Sequence, residues 1–207
     1  MDRETGEVYI GGDSSAVAEY DMLTIATPKV FHVGEMLFGF AGHFRFGQIV
    51  QHAFVPPKYK GGDITAYMSR DMMEALREAA HDSGFLKNID GRDRAGLGIV
   101  GFRGRLFILQ DEFEVLEPTD SIASIGCGYP YAIGAMRALT QAQPDLSVEQ
   151  RMQIALETSE YYSGGVRGPF RILKLEGEHG RQQDNAGDSR RNSKRKRKSS
   201  RRPAEED

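Results

Sequence analysis

Apolar residues recur along the chain in two periods, and the period changes in blocks. Val8 and Ile10 share one face of residues 7–10, which predicts a strand entered through a turn at Glu4-Thr5-Gly6. Gly11-Gly12-Asp13-Ser14-Ser15 breaks that pattern, and residues 24–31 read as extended. Met36-Leu37-Phe38-Gly39-Phe40 is almost wholly apolar, the mark of a strand covered on both faces. From Gly42 a helix is expected to run to about Phe54, stopped by Pro56-Pro57. Asp63 reads as the N-cap of a second helix over 64–81, with Tyr67, Met68, Met72, Leu76 and Ala79 on one stripe. Residues 87–94 read as a charged loop.

Strands are then expected over 95–102, 105–110, 113–116 and 121–126, the first two joined by a two-residue hairpin at Arg103-Gly104. Residues 131–141 read as helical. Ser147-Val148-Glu149-Gln150 is a capping box that opens a helix to about Tyr162, and residues 170–175 form a last strand. Strands, two helices, strands, two helices, strand: this block order argues for antiparallel sheets with separate helix layers, an α+β chain rather than a Rossmann-type sheet. Two sheets stacked between two helix layers accommodate it.

The chain has 207 residues, 39% hydrophobic and 28% charged, which fits one globular domain and a polar tail. The domain is expected over 1–176 and the tail over 177–207. Net charge is −3, unevenly spread. Residues 176–207 hold 10 Lys/Arg against 7 Asp/Glu, leaving 17 against 23 for the body. The basic block from Arg190 to Arg202 has no large apolar residue and is expected to be disordered. It reads first as a solvated tail, and second as a contact for nucleic acid or another acidic partner. A single cysteine, Cys127, excludes an internal disulfide and fits a reducing cytoplasm. No apolar run is long enough to span a membrane. Five scattered His and one Cys give no zinc-type spacing.

Four segments carry candidate chemistry. The first is Gly11-Gly12-Asp13 with Lys29 sixteen residues further on. The second is Phe38-Gly39-Phe40-Ala41-Gly42, and the third is Ile125-Gly126-Cys127-Gly128 followed by Ala132 and Gly134-Ala135. The fourth is Ser159-Glu160-Tyr161-Tyr162-Ser163-Gly164-Gly165. Each has a bland reading by itself: Asp13 as a turn cap, Lys29 as a solvated edge lysine beside Pro28, Gly42 as a helix N-cap. Together and in this order, over residues 7–175, they resemble the proteasome β-type, HslV-like family of N-terminal-nucleophile hydrolases.

That resemblance implies a four-layer αββα sandwich and a threonine-type peptidase in a homo-oligomeric ring, fed peptide or protein substrate by an ATP-dependent unfoldase. It implies that Lys29 lowers the pKa of a threonine hydroxyl and α-amine, that Asp13 holds the lysine, and that the Gly42 amide faces the oxyanion. Cys127, Glu160 and Ser163 join the catalytic group. Ser15, Ala16 and Val17 would pair with an extended peptide. The chemistry needs no cofactor. The resemblance also implies a sodium ion on the backbone carbonyls of Glu160, Ser163 and Val166.

Three departures stand out. Threonine precedes the Asp by sixteen residues in the family, which falls four positions ahead of Met1, so the first strand is expected to be missing. Either the start codon has been placed too late, or the chain is an inactive ring or scaffold subunit. Cys127 replaces a usual serine; its thiol, with His43, is the alternative nucleophile. Glu160 stands where proteasome subunits have Asp.

Overall fold

The computed structural model describes residues 1–2 and 5–177. The basic block expected in the tail lies outside the described residues. Five antiparallel strands form the larger sheet, in the order β10-β9-β8-β5-β4. They are β4 (Val30–Val33), β5 (Met36–Ala41), β8 (Leu97–Phe102), β9 (Arg105–Leu109) and β10 (Val115–Leu116). Strand β1 (Val8–Gly12) pairs antiparallel with β11 (Arg171–Leu175) in a second sheet laid over the first. Helix α1 (Phe44–His52) and the pair α2 (Ile64–Ala66) and α3 (Met73–Asp82), joined through a π-helical stretch at Tyr67–Met72, cover the outer face of the large sheet. Helices α4 (Tyr129–Ala142) and α5 (Val148–Tyr162) pack on each other, and α5 lies on β1 and β11. The layers run αββα, as the resemblance implied.

Strand β5 shows why. Met36, Phe38 and Phe40 point into the helix-covered core with Phe31, Phe46, Met68, Met72 and Phe107. Leu37 points the other way, between the sheets, with Val8, Ile10, Val30, Ile99 and Leu175. Period-2 geometry sends successive side chains to opposite faces, so a strand apolar at every position must be sandwiched. The two sheets approach closely because β5 and β8 place glycines under β1. A Cβ on Gly39 would lie 2.9 Å from Ile10 Cγ2, and one on Gly101 2.7 Å from Val8 Cγ1.

Several elements differ from the sequence reading. Residues 87–94 are a hairpin rather than a loop: β6 (Lys87–Ile89) pairs with β7 (Arg92–Arg94). The turn is Asp90-Gly91, with φ of 52° and 78°, the left-handed pair that Asp-Gly supplies readily. The flanking charges hide this signal because the hairpin has no buried face. A second hairpin, β2 (Ser15–Ala18) with β3 (Asp21–Thr24), was not expected; its turn includes Glu19 at φ 55°, a residue type that does not announce a turn. Residues 121–126 form no strand. The N-cap of α1 is His43, not Gly42. In α3, Ala80 follows Leu76 as the fully buried residue of the stripe, with Ala79 partly buried beside it. The Asp63 cap and the Ser147/Gln150 capping box are both present.

The inter-sheet contact gives the first test. Gly101→Ala forces Val8 Cβ, 3.1 Å from the added methyl, to move with its strand. Overpacking of this kind is expected to cost about 2 kcal/mol in urea denaturation. A second test concerns pH. Burial, and then the hydrogen bond it donates to Glu7 Oε2 (2.9 Å), push the Tyr9 hydroxyl up to about 12. A folded pKa above the unfolded value means the contribution is complete below about pH 10 and lost as pH rises toward 12. Tyr9→Phe should therefore flatten the fall in thermal stability across that window, measured by circular dichroism.

Candidate active site

Asp13 follows the end of β1 and reaches across the open end of the sandwich. Its Oδ1 accepts a hydrogen bond from Lys29 Nζ at 2.8 Å. Lys29 sits just before β4, and its carbonyl accepts from Phe40 N (3.1 Å). The two side chains keep only 14% and 15% of their surface, so the charges are largely withdrawn from water. Their remaining hydrogen-bonding capacity is taken up locally. Asp13 Oδ2 accepts from Ser15 N (2.9 Å) and Arg167 N (3.3 Å), and the Ser15 hydroxyl lies in contact with the same oxygen. Lys29 Nζ also reaches Ser15 Oγ (3.4 Å) and lies 5.8 Å over the Phe44 ring.

The loop after α5 closes around this pair. Ser14 N donates to Arg167 O (2.8 Å) and Ser14 Oγ to Pro169 O (2.6 Å). Ser15 Oγ lies 2.8 Å from Gly165 O. Gly165 N donates to Ser163 Oγ (3.2 Å), and the Gly165 backbone packs so closely on Cys127 that a Cβ there would lie 3.0 Å from its Sγ. Cys127, itself exposed, follows Gly126, whose added Cβ would lie 3.0 Å from Ala41 Cβ, next to Gly42. The structure thus brings Asp13, Lys29, Cys127 and Ser163 to one end of the sandwich, with Gly42 adjoining. Glu160 stands behind them: its Oε1 accepts from Gly168 N (3.0 Å) and lies 3.8 Å from Arg167 Nε. It braces the loop whose Arg167 amide reaches Asp13.

Gly42 has φ 84°, and a Cβ there would meet nothing within 4 Å. Its glycine is thus required by the backbone conformation between β5 and α1, not by crowding within the chain. Ser15, expected to pair with a peptide through its strand, also gives its side chain to the ion pair. It is 2% exposed and its hydroxyl is spent on the ion pair, while Val17 on the same strand is 47% exposed. Strand β2 pairs with β3 along one edge. The contributions of Gly165, Arg167 and Gly168 were not foreseen. They act through main-chain groups, which leave no side-chain signature in the sequence.

Among the described residues no cluster of His, Cys, Asp or Glu suits a metal. Backbone carbonyls at the end of α5 are hard oxygen donors and suit an alkali cation. Glu160 belongs to the last turn, whose carbonyls run out of intrahelical partners, whereas Ser163 O already accepts from Val166 N (3.2 Å).

No family model matches the chain. Among the solved structures that share its fold are two of proteasome-like proteins. BPH of Thiobacillus denitrificans, in complex with epoxomicin, superposes with a TM-score of 0.69 at 19% identity, over 84% of this chain and 95% of that one. HslV of Trypanosoma brucei gives 0.61 at 18% identity, over 84% and 96%. The architecture is that of the N-terminal-nucleophile hydrolases of proteasome type. In sequence, the chain is 29% identical to the ATP-dependent protease subunit HslV of Pseudothermotoga lettingae, over 78% of this chain and 89% of that protein. It is 27% identical to the HslV subunit of Desulfovibrio desulfuricans, over 79% and 91%. In sequence as in fold, the chain is similar to HslV-like proteins of proteasome β type.

The ion pair can be tested without an activity assay. Asp13→Ala strands a mostly buried ammonium and two amides, and is expected to lower the unfolding free energy by about 3 kcal/mol. Adding Lys29→Met should recover part of that loss. Urea denaturation of the single and double variants measures the coupling, and additive effects would show that the pair contributes no interaction of its own.

Proposed function

We propose that this chain is the peptidase subunit of an HslV-like, self-compartmentalised protease with a threonine nucleophile. The observation that carries the reading is the Lys29 ammonium, held by Asp13 at the end of β1 and flanked by the positive-φ Gly42. In the proposed chemistry, a threonine hydroxyl attacks the peptide carbonyl carbon and its own α-amine takes the proton. The Lys29 charge, fixed in place by Asp13, favours the neutral amine and the forming alkoxide. The Gly42 N–H would donate to the oxyanion. Collapse of that intermediate hands the proton to the leaving amine, and water then releases the acyl group.

The turn ahead of β1 supports a definite position for the threonine. Asp2 N donates to Glu7 O (2.8 Å) and Gly6 N to Asp2 O (3.0 Å), which turns the preceding chain antiparallel to β1. Counting back one residue for each step forward sets Met1 opposite Val8. The fourth residue ahead of Met1 then falls opposite Gly12, beside Asp13 and Lys29. This is the position that the sixteen-residue spacing requires. Among the described residues β1 pairs on one edge only, with β11.

A sodium ion on the carbonyls of Glu160, Ser163 and Val166 would stiffen the loop that carries Arg167. Copies of the chain would meet through the exposed Tyr129, Tyr131, Ile133, Tyr161 and Tyr162 of α4 and α5, an apolar surface for a ring assembly to cover. An ATP-dependent unfoldase would supply unfolded protein. A cytoplasmic site of action suits such a machine, and among the described residues no helix is long and apolar enough to cross a membrane.

The test is turnover of fluorogenic peptides and casein by three forms. A form beginning at Met1 should be inactive. A form extended so that threonine is exposed four residues ahead of Met1 should cleave. Lys29→Ala in the extended form should lose about a thousandfold in kcat/KM. Turnover by the Met1 form that survives Lys29→Ala but not Cys127→Ala would move the chemistry to the thiol.

A further inference from the structure

An open groove of about 350 Å³ has Thr27, Arg45, Gln48, Ile49, His52 and Ser83 in its lining. Two of its lining residues are close along the chain to Lys29 or to a residue that meets it. Thr27 lies two residues before Lys29 on the segment leading into β4, and Arg45 follows Phe44, the residue whose ring lies under the Lys29 ammonium. A substrate side chain next to the reacting carbonyl would therefore enter this groove.

The lining has a charge bias. It holds one guanidinium, one imidazole, two hydroxyls and an amide, and no carboxylate. The nearest acid along the chain, Asp82, faces His81 Nδ1 at 3.2 Å. Arg45 shares with Arg151 and Arg171 the absence of an ion pair among the described residues, and of the three it is the one that lines this groove. Arg70, Arg77, Arg92, Arg94, Arg103 and Arg105 each meet a carboxylate. Arg45 instead has one long hydrogen bond from Nη2 to Ser83 O (3.5 Å), and no ion pair among the described residues. A guanidinium in a groove without a carboxylate is a ready partner for one, since it can donate two parallel N–H bonds. Gln48 and the Thr27 and Ser83 hydroxyls can add donors around it.

We infer that this groove selects an acidic side chain, Glu or Asp, beside the scissile bond, with Arg45 as its specificity-determining residue. The inference rests on reading Lys29 as the centre of a peptidase, so its test uses binding as well as turnover. Acetyl-Ala-Ala-Xaa-amide peptides, with Xaa as Glu, Gln, Lys or Leu, are titrated calorimetrically into the full chain at low salt. The Glu peptide should bind about fivefold tighter than the Gln peptide, the scale of a solvent-accessible ion pair. Arg45→Glu, an exposed position whose change leaves the core untouched, should reverse the order in favour of Lys. Cleavage sites mapped by mass spectrometry in casein digested by the threonine-bearing form should be enriched in flanking Glu and Asp.

Equal binding of Glu and Gln peptides, a Glu preference that survives Arg45→Glu, or no binding would each overturn the inference. The two proposals fail separately. Charge-selective binding that depends on Arg45, with no turnover by any form, sinks the peptidase reading. Turnover that prefers Leu and ignores Arg45→Glu sinks only the inference drawn from this groove.

Discussion

The Asp13–Lys29 ion pair is the interaction on which the functional end of this fold depends. Two charges withdrawn from water are costly, and their mutual attraction offsets that cost only when their remaining hydrogen-bonding groups are also satisfied. Here the satisfaction comes from three separate parts of the chain: Ser15 from the start of β2, Phe44 from α1 through its ring, and Arg167 from the loop after α5. The carboxylate thereby fixes where the end of β1, the start of β4 and the loop before β11 lie. Glu160 extends the constraint by one step, since its contact with Gly168 N holds the loop that reaches back to Asp13. The extra methylene of Glu relative to Asp suits a residue acting from behind the loop rather than from within the reacting group.

The sandwich makes this end rigid. Aromatic packing of Phe31, Phe38, Phe40 and Phe46 anchors the large sheet to α1, with ring centroids 5.9 Å apart for Phe31 and Phe38 and 6.2 Å for Phe38 and Phe46. The helix that carries Phe44 and Arg45 is therefore tied to the same strand that leads to Gly42. Positions near the chemistry are set by large apolar contacts one layer away, which is how a site assembled from loop ends keeps its geometry. The same logic explains fold likeness to solved structures at 18–19% identity. Burial pattern, close-approach glycines and a few polar contacts specify the layers, while the identity of most surface residues is free to drift.

Much of the architecture was legible along the chain because it depends on local rules. The all-apolar β5 announced a doubly covered strand, Arg103-Gly104 announced a hairpin, and Ser147 with Gln150 announced the start of α5. Where the reading failed, the competing signal was local too. Charges on both faces masked the Asp90-Gly91 turn, and Glu19 concealed another hairpin by taking a left-handed conformation uncommon for its type. The apolar residues at 121–126 suggested a strand, but among the described residues the segment joins no ladder and instead packs Ala123 and Ile125 against the inter-sheet core.

The sequence by itself determined the order of strands and helices, the two-sided burial of β5, and the residue types available for chemistry: an Asp and a Lys sixteen positions apart, and glycines where backbone must turn. These follow from periodicity and side-chain chemistry, which act over a few residues. Only the tertiary structure decided that Ser15 serves the ion pair, that Glu160 braces a loop, and that Arg45 lines a groove whose lining holds no carboxylate. Each depends on main-chain groups or on residues brought together from far apart. The partner of a buried polar atom is chosen by whichever segment the packed layers deliver to it, and no local pattern records that choice.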